Sequence, residues 1–380
     1  MPKIVEGVRD QGVMTTVATD TVQLLGPGPS NVTERVLSAM ARPTLGHLDP
    51  VFLKLMDDTK ADLAKLMKAG DGLTMPVSGT GSAGMEAAIA NIVEPGDPVL
   101  VCVNGVFGGR MREVATRLRA DVDVVEFEWG TPVVPEQVAE ALRKRQYKLV
   151  GCVHAETSTG VASPVDEVGK LVDEHGALFL VDCVTSLGGM NFDRDGWGID
   201  IAYSGTQKCL SCPPGLAPIT FSERALELMR QRESKVPNWY LDVSLLLSYY
   251  TGQKRQYHHT APINMIYALH EAVRAVLEEG LESCFARHRQ AHEALVTGLG
   301  KMGLEMYVQE GYRLPMLNAV KVPEDVDEAA VRTKLRNEFN TEIGAGLGPL
   351  AGKIWRIGLM GTNARTEVVD QLLTDLKQCL

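Results

Sequence analysis

A lysine closes the segment Ser204-Gly-Thr-Gln-Lys208, which follows the apolar run Ile199-Asp-Ile-Ala-Tyr203 and precedes the turn Pro213-Pro-Gly215. The run predicts a buried strand, so the amine falls at a strand end. An ammonium is strongly hydrated and is seldom fully buried without a partner, which makes lysine a poor choice for packing there. Chemistry explains it better. An amine in a partly desolvated pocket loses its proton more easily and can attack a carbonyl, as Schiff-base catalysis requires. Upstream, Ala177-Leu-Phe-Leu-Val-Asp182 ends a second apolar run in a carboxylate. A strand-end Asp and a strand-end Lys are the pair that a pyridoxal phosphate site needs. The lysine carries the cofactor, and a carboxylate beside the ring nitrogen keeps that nitrogen protonated so that the ring stays an electron sink. Taken singly, Asp182 would serve as well as a helix cap and Lys208 as a surface residue; the pairing gives both a task.

A third feature belongs with them. Gly79-Thr-Gly-Ser-Ala-Gly84 matches G-x-G-x-x-G between a predicted strand and a predicted helix, which is the setting of a dinucleotide fingerprint. An NAD-binding oxidoreductase is therefore the rival reading from another class. A ribose-binding carboxylate should end the following strand, however, whereas Glu94 and Asp97 flank Pro95-Gly96 in a turn ahead of that strand. NAD binding would also leave Lys208 unexplained. The loop suits a phosphate: small residues let the backbone approach, and the N–H groups at the start of the helix present positive charge to an anion.

In Lys353-Ile-Trp-Arg-Ile-Gly-Leu-Met360 a period of two puts Ile354, Arg356 and Gly358 on one face and Trp355, Ile357 and Leu359 on the other. A guanidinium among apolar neighbours needs a planar anion, and its fork matches a carboxylate; a protein Asp or Glu would serve as well as a substrate. No metal site is expected. Cys209-Leu-Ser-Cys212 lacks two further ligands, His258-His259 lacks others at usual spacing, and His288 with His292 reads as a solvated helix face.

The segment Asp200 to Lys208, with Gly215-Leu-Ala beyond it, resembles the lysine signature of the class V aminotransferases. So do Leu25-Gly-Pro-Gly-Pro-Ser30, Gly79-Thr-Gly-Ser82, Glu156-Thr-Ser-Thr-Gly160, Tyr257-His-His-Thr260 and Gly352-Lys-Ile-Trp-Arg-Ile-Gly358, in an order similar to that of the alanine:glyoxylate and serine:pyruvate branch. The resemblance implies that Lys208 holds pyridoxal 5′-phosphate as an imine, with Asp182 at the ring nitrogen. It gives Thr80, Gly81, Ser82 and Gln207 to the phosphate, Phe107 and Val184 to the two ring faces, and Thr157 to the phenolic oxygen. Better-known relatives carry Trp where this chain has Phe107. Arg356 would take the substrate α-carboxylate, and Tyr257 and Thr260 would reach the partner's phosphate in a homodimer with shared sites. The implied reaction moves the amino group of alanine or serine to glyoxylate or pyruvate. The ureidoglycine:glyoxylate branch is the near alternative, and it is expected to carry a polar amide side chain in place of Tyr257. Cysteine desulfurases share the lysine but need a mobile nucleophilic Cys, and no Cys lies between Cys284 and Cys379.

These residues need a scaffold, and the pattern supplies one. From Leu73 to Cys183 short apolar runs alternate with helical segments, which predicts an α/β fold with a mostly parallel sheet covered by helices and ligands beyond its carboxyl ends. From Leu281 a long helix is followed by apolar runs at Leu304–Val308, 318–322, 342–346 and 353–360 and by helices from 326 and 366, a smaller α+β unit. The expected organisation is an N-terminal arm over 1–22, a large domain over 23–280 and a small domain over 281–380. A net charge of −10 argues against nucleic acid as a partner. No apolar run is long enough for a membrane span, the N-terminus has no signal-peptide pattern, and several of the seven cysteines lie in apolar runs. A reducing, cytoplasmic setting is the expectation.

Overall fold

Seven strands rich in β-branched residues line up in the order Leu73–Ser78, Leu216–Phe221, Ile201–Tyr203, Leu178–Asp182, Leu149–Val153, Pro98–Val103 and Asp121–Glu126 in a computed structural model that describes residues 21–252 and 254–380. Leu216–Phe221 runs antiparallel to both neighbours, and the remaining pairs are parallel. Burial of five of five residues in Leu178–Asp182 and in Leu149–Val153 follows from helices on both faces. The α/β expectation therefore holds, and the carboxyl ends of the parallel strands open toward one side.

The apolar runs at 73–77, 98–103, 122–127, 149–154 and 177–183 match the observed strands to within one residue at each end. The helix that the sequence pattern places at 83–93 begins two residues earlier, at Gly81, with Thr80 as its N-cap. Two helices in the N-terminal part, Glu34–Met40 and Pro50–Met67, go beyond the sequence reading. Asp49 caps the second, its side chain accepting from Val51 N, and Pro50 opens it without forfeiting a helical hydrogen bond.

A second sheet has the order Gln23–Leu25, Thr341–Ala345, Ile354–Gly358, Leu317–Lys321. Residues 23–25, expected in the large domain, instead pair parallel with Thr341–Ile343, and Leu25 packs with Leu295, Trp355 and Ile357 in a separate core. The expected arm, 1–22, lies almost wholly outside the described residues. Leu304–Val308 forms no strand: Tyr307 N donates to Ala319 O and Lys321 N to Glu305 O, both at 2.8 Å, with one bridge at Met306. Helix Leu281–Lys301 joins the two cores, with Cys284 and Phe285 in the first and Ala291, Leu295 and Leu299 in the second.

His288 corrects the solvated-face reading. It is fully buried, its Nδ1 donates to Cys284 O at 2.7 Å and its Nε2 accepts from Gly361 N at 3.0 Å. Burial pushes its pKa down to about 4, so the ring is the neutral tautomer those two bonds need. His292 is partly buried against Asn318 Oδ1 at 2.6 Å.

Candidate active site

The parallel strands deliver Asp182 and the Thr206–Lys208 loop to a cavity of about 200 Å³ at their carboxyl ends. Thr80, Gly81, Ser82, Phe107, Thr157, Asp182, Val184, Gln207 and Lys208 all line it, as do Met85, Arg110, Ala155, Thr185 and Tyr203. The last five were not singled out from sequence. Tyr203 had a signal, since it ends the apolar run before the lysine loop.

Asp182 is buried and held at both oxygens. Its Oδ2 accepts from the Tyr203 hydroxyl at 2.7 Å and its Oδ1 from Val184 N at 2.9 Å. Burial pushes the carboxyl up to about 6, against the pull of those two donors. Such a carboxylate gains by receiving a cation. Lys208 is the complement. It is 8% exposed, and burial, reinforced by the positive charge of Arg356, lowers its pKa to about 8. Its Nζ donates to Pro27 O.

The Gly-Pro-Gly-Pro-Ser segment forms one wall of the lysine's channel. Gly28 has φ +98°, which favours glycine, and a Cβ there would stand 2.7 Å from Lys208 Cδ and displace the end of the lysine. Ser30 fastens the wall: its N donates to Gln207 O at 2.9 Å and its Oγ to Lys208 O at 2.7 Å.

Two helix N-termini flank the cavity. Helix Gly81–Ala90 starts at Thr80, whose side chain makes no capping bond. Its first amides are open to an anion, and Gly81 keeps the floor low, since a Cβ there would meet Val184 Cγ2 at 3.1 Å. Beside it, the Gln207 side chain leaves a buried Oε1 without a hydrogen-bond partner. The second, helix Val106–Arg117, is closed by Glu156. This fully buried carboxylate accepts from Phe107 N at 3.0 Å, Gly108 N at 3.4 Å, and Ser158 N and Oγ at 3.1 and 2.6 Å. Burial raises its pKa, and the four donors oppose the rise. Gly105 makes room, because a Cβ there would stand 2.5 Å from Glu156 Cδ. Glu156 thus sets the helix that presents Phe107, a role its place in the Glu-Thr-Ser-Thr-Gly motif did not disclose.

Arg356 lies just behind this cavity. It is 7% exposed, its Nε donates to Ala345 O at 2.6 Å and its Nη1 to Thr157 O at 3.2 Å. Its Nη2 has no partner among the described residues, and no Asp or Glu pairs with it there. Tyr257 and Thr260 stand apart on the surface, hydroxyls 3.2 Å from each other, with Tyr257 56% exposed. The G-x-G-x-x-G loop has the strand and helix of a dinucleotide site but no ribose carboxylate. Asp97 instead accepts from Glu94 N and pairs with Lys148 at 2.6 Å, and Glu94 accepts from Ser234. Cys209 and Cys212 are free thiols whose pKa burial pushes up to about 12. No cluster of His, Cys, Asp or Glu suited to a metal occurs among the described residues. None of the described helices is long and apolar enough to cross a membrane.

A buried amine, a buried carboxylate and a helix N-terminus with open amides thus meet at one cavity, and the Arg356 guanidinium is bonded to its wall at Thr157 O. Comparison with known proteins identifies the family. The family model described as aminotransferase class-V matches residues 22–369. The chain is 40% identical over 375 residues to the (S)-ureidoglycine–glyoxylate transaminase of Bacillus subtilis, covering 94% of this chain and 90% of the relative. It is 39% identical over 361 residues to the alanine–glyoxylate aminotransferase of Drosophila melanogaster, covering 94% and 92%. The crystal structure of the alanine–glyoxylate aminotransferase from Nostoc sp. superposes with a TM-score of 0.95 at 48% identity, covering 99% of this chain and all of that one.

Proposed function

Since the chain belongs to the class V aminotransferases, we propose that it uses pyridoxal 5′-phosphate to move the amino group of alanine or serine to glyoxylate or pyruvate. The observation that carries the reading is Lys208, a buried amine with a depressed pKa, in one cavity with the buried carboxylate of Asp182. The residues fit the cofactor. The unpartnered Gln207 amide and the uncapped helix at Thr80 await an anion, and rotation of the amide presents its NH2 to it. When bound, the cofactor supplies an aldehyde for the amine and a ring that withdraws electrons from the substrate's Cα.

Each side chain then has a task. Lys208 Nζ would hold the cofactor and, as a free amine, would move the proton at the substrate's Cα as general base and acid. Asp182, steadied by Tyr203 and Val184, holds a proton on the ring nitrogen. Thr80, Gly81, Ser82 and Gln207 bind the phosphate. Phe107 and Val184 enclose the ring, and Thr157 sits near its phenolic oxygen. Arg356 is fixed by two carbonyls with Nη2 free, which suits the α-carboxylate of a substrate. Tyr257 and Thr260, which do not line this chain's own cavity, are assigned to the partner's phosphate in a homodimer. Six of the seven cysteines are buried and free, in keeping with a cytoplasmic enzyme.

Ureidoglycine as donor is the second reading, favoured by the Bacillus relative. Tyr257 speaks for the small neutral donors, because that branch is expected to carry an amide there. Steady-state assays of alanine, serine, aspartate, glutamate and ureidoglycine against glyoxylate and pyruvate decide between them. The highest specificity constant should belong to alanine or serine; a clearly higher one for any other donor overturns the choice. Lys208→Ala should fold, lose the visible cofactor band that borohydride abolishes in the wild type, and lose nearly all turnover. Asp182→Asn should slow turnover by orders of magnitude while weakening cofactor binding less.

A further inference from the structure

We propose that Arg110 grips the cofactor phosphate and makes the site select the phosphorylated cofactor over its dephosphorylated parent. The inference rests on the cofactor reading above and adds a ligand to it. Arg110 stands three residues beyond Phe107 in helix Val106–Arg117, a spacing that puts both side chains on one face. Its guanidinium lies over the Phe107 ring, 5.0 Å from the centroid, and its Nη1 donates to Ser82 Oγ at 3.3 Å. All three residues line the cavity. Stacking on the ring holds the planar guanidinium while its N–H edge stays free for an anion.

Charge makes the case. A phosphate monoester carries about −1.5 to −2 at pH 7, and a helix N-terminus offers roughly half a positive charge. Thr80, Gly81, Ser82, Gln207, Tyr257 and Thr260, the other residues assigned to the phosphate, are neutral. Lys208 is committed to the aldehyde. Arg110 is the remaining cation that lines the cavity, and it makes no ion pair among the described residues. The Ser82 contact aims it at the open helix N-terminus, where the phosphate oxygens belong.

The test reads binding, not turnover. Cofactor-free full-length protein, as wild type, Arg110→Gln and Arg110→Lys, is titrated with pyridoxal 5′-phosphate and with pyridoxal, which lacks the phosphate; circular dichroism checks the fold. Loss of one charge-assisted contact should weaken pyridoxal phosphate binding in Arg110→Gln by about ten- to a hundredfold, with pyridoxal binding within about twofold of wild type. Arg110→Lys should recover part of the loss, since it restores charge without the fork. Inorganic phosphate should compete more strongly with the cofactor in the wild type than in Arg110→Gln. An unchanged ratio of the two affinities overturns the proposal. An equal loss for both ligands also overturns it, because Arg110 would then only support Phe107. Wild-type protein that binds neither ligand overturns the cofactor reading and this inference together, whereas the variant comparison alone sinks only the inference.

Discussion

The helix starting at Gly81 and the helix starting at Val106 meet the same cavity, yet one N-terminus is open and the other is sealed. Both present unpaired amides, and both would be costly to bury unsatisfied. Glu156 seals the second with a carboxylate from the chain itself, fixed by Ser158 and fitted into space that Gly105 leaves. The first has only Thr80, which caps nothing, and Ser82, whose hydroxyl accepts from Arg110. An N-terminus closed from within positions a neighbour, here Phe107. One left open stores an affinity for an anion from outside.

That contrast can be broken from the open side first. Ser82→Asp would supply an internal anion where the phosphate should sit, in reach of Arg110, and so make the first helix resemble the second. Cofactor affinity should fall by more than about a hundredfold, while the cofactor-free protein should gain about 0.3–1 kcal/mol in urea unfolding. A variant that keeps wild-type affinity would show that the phosphate binds elsewhere.

Damage from the sealed side should be smaller. Glu156→Gln keeps the shape but turns a donor toward the donors at Phe107, Gly108 and Ser158, and should cost about 1–3 kcal/mol of stability. Its pH dependence has a definite sign. Burial raises the Glu156 pKa above its unfolded value, so the folded protein holds this proton where the unfolded chain has released it. The Glu156 contribution to stability therefore declines as pH rises from the ordinary carboxylate range toward the folded pKa. The stability difference between wild type and Glu156→Gln should narrow over that rise, and a difference that widens would mean the carboxylate is stabilised, not burdened, by its site. The smallest effect belongs to Thr80→Ala. A threonine that capped its helix would cost about 1 kcal/mol to remove, so the cofactor-free variant should lie within a few tenths of a kcal/mol of wild type.

The open N-terminus was legible in the amino-acid sequence and the sealed one was not. Small residues after a strand announce a phosphate loop because the signal is local. Asp182 and Lys208 were legible for the same reason, each being a charge that ends an apolar run. Glu156 sits in a recognisable motif, but its partners at 107 and 108 come from another strand–helix unit, and no local spacing connects them. Arg110 reads as an ordinary exposed helix residue until the fold brings Ser82 beside it. His288 fell to the opposite error: an i, i+4 pair on a charged helix reads as solvated, but the ring is buried and bonded to Gly361 N, 73 residues away in sequence. Gln23–Leu25 likewise gives no hint that its strand partners lie in the last tenth or so of the chain.

That pairing has a consequence for the timing of maturation. Gln23 Nε2 donates to Asn363 Oδ1 at 2.8 Å across 340 residues of sequence, and the strand at 23–25 leads directly into the Pro27, Gly28 and Ser30 contacts that wall in Lys208. During synthesis this stretch emerges long before Thr341–Ala345, the strand it pairs with. Much of the large sheet can assemble while the chain grows, since four of its six strand pairs join members of the sheet that are consecutive in chain order, with Leu73–Ser78 waiting for Leu216–Phe221. The lysine's channel cannot close until residues 23–30 are anchored by the strand at Thr341–Ala345. Closure of the site therefore waits for the second sheet, and a nascent chain that has not yet reached Thr341–Ala345 would carry the amine without the pairing that anchors its wall.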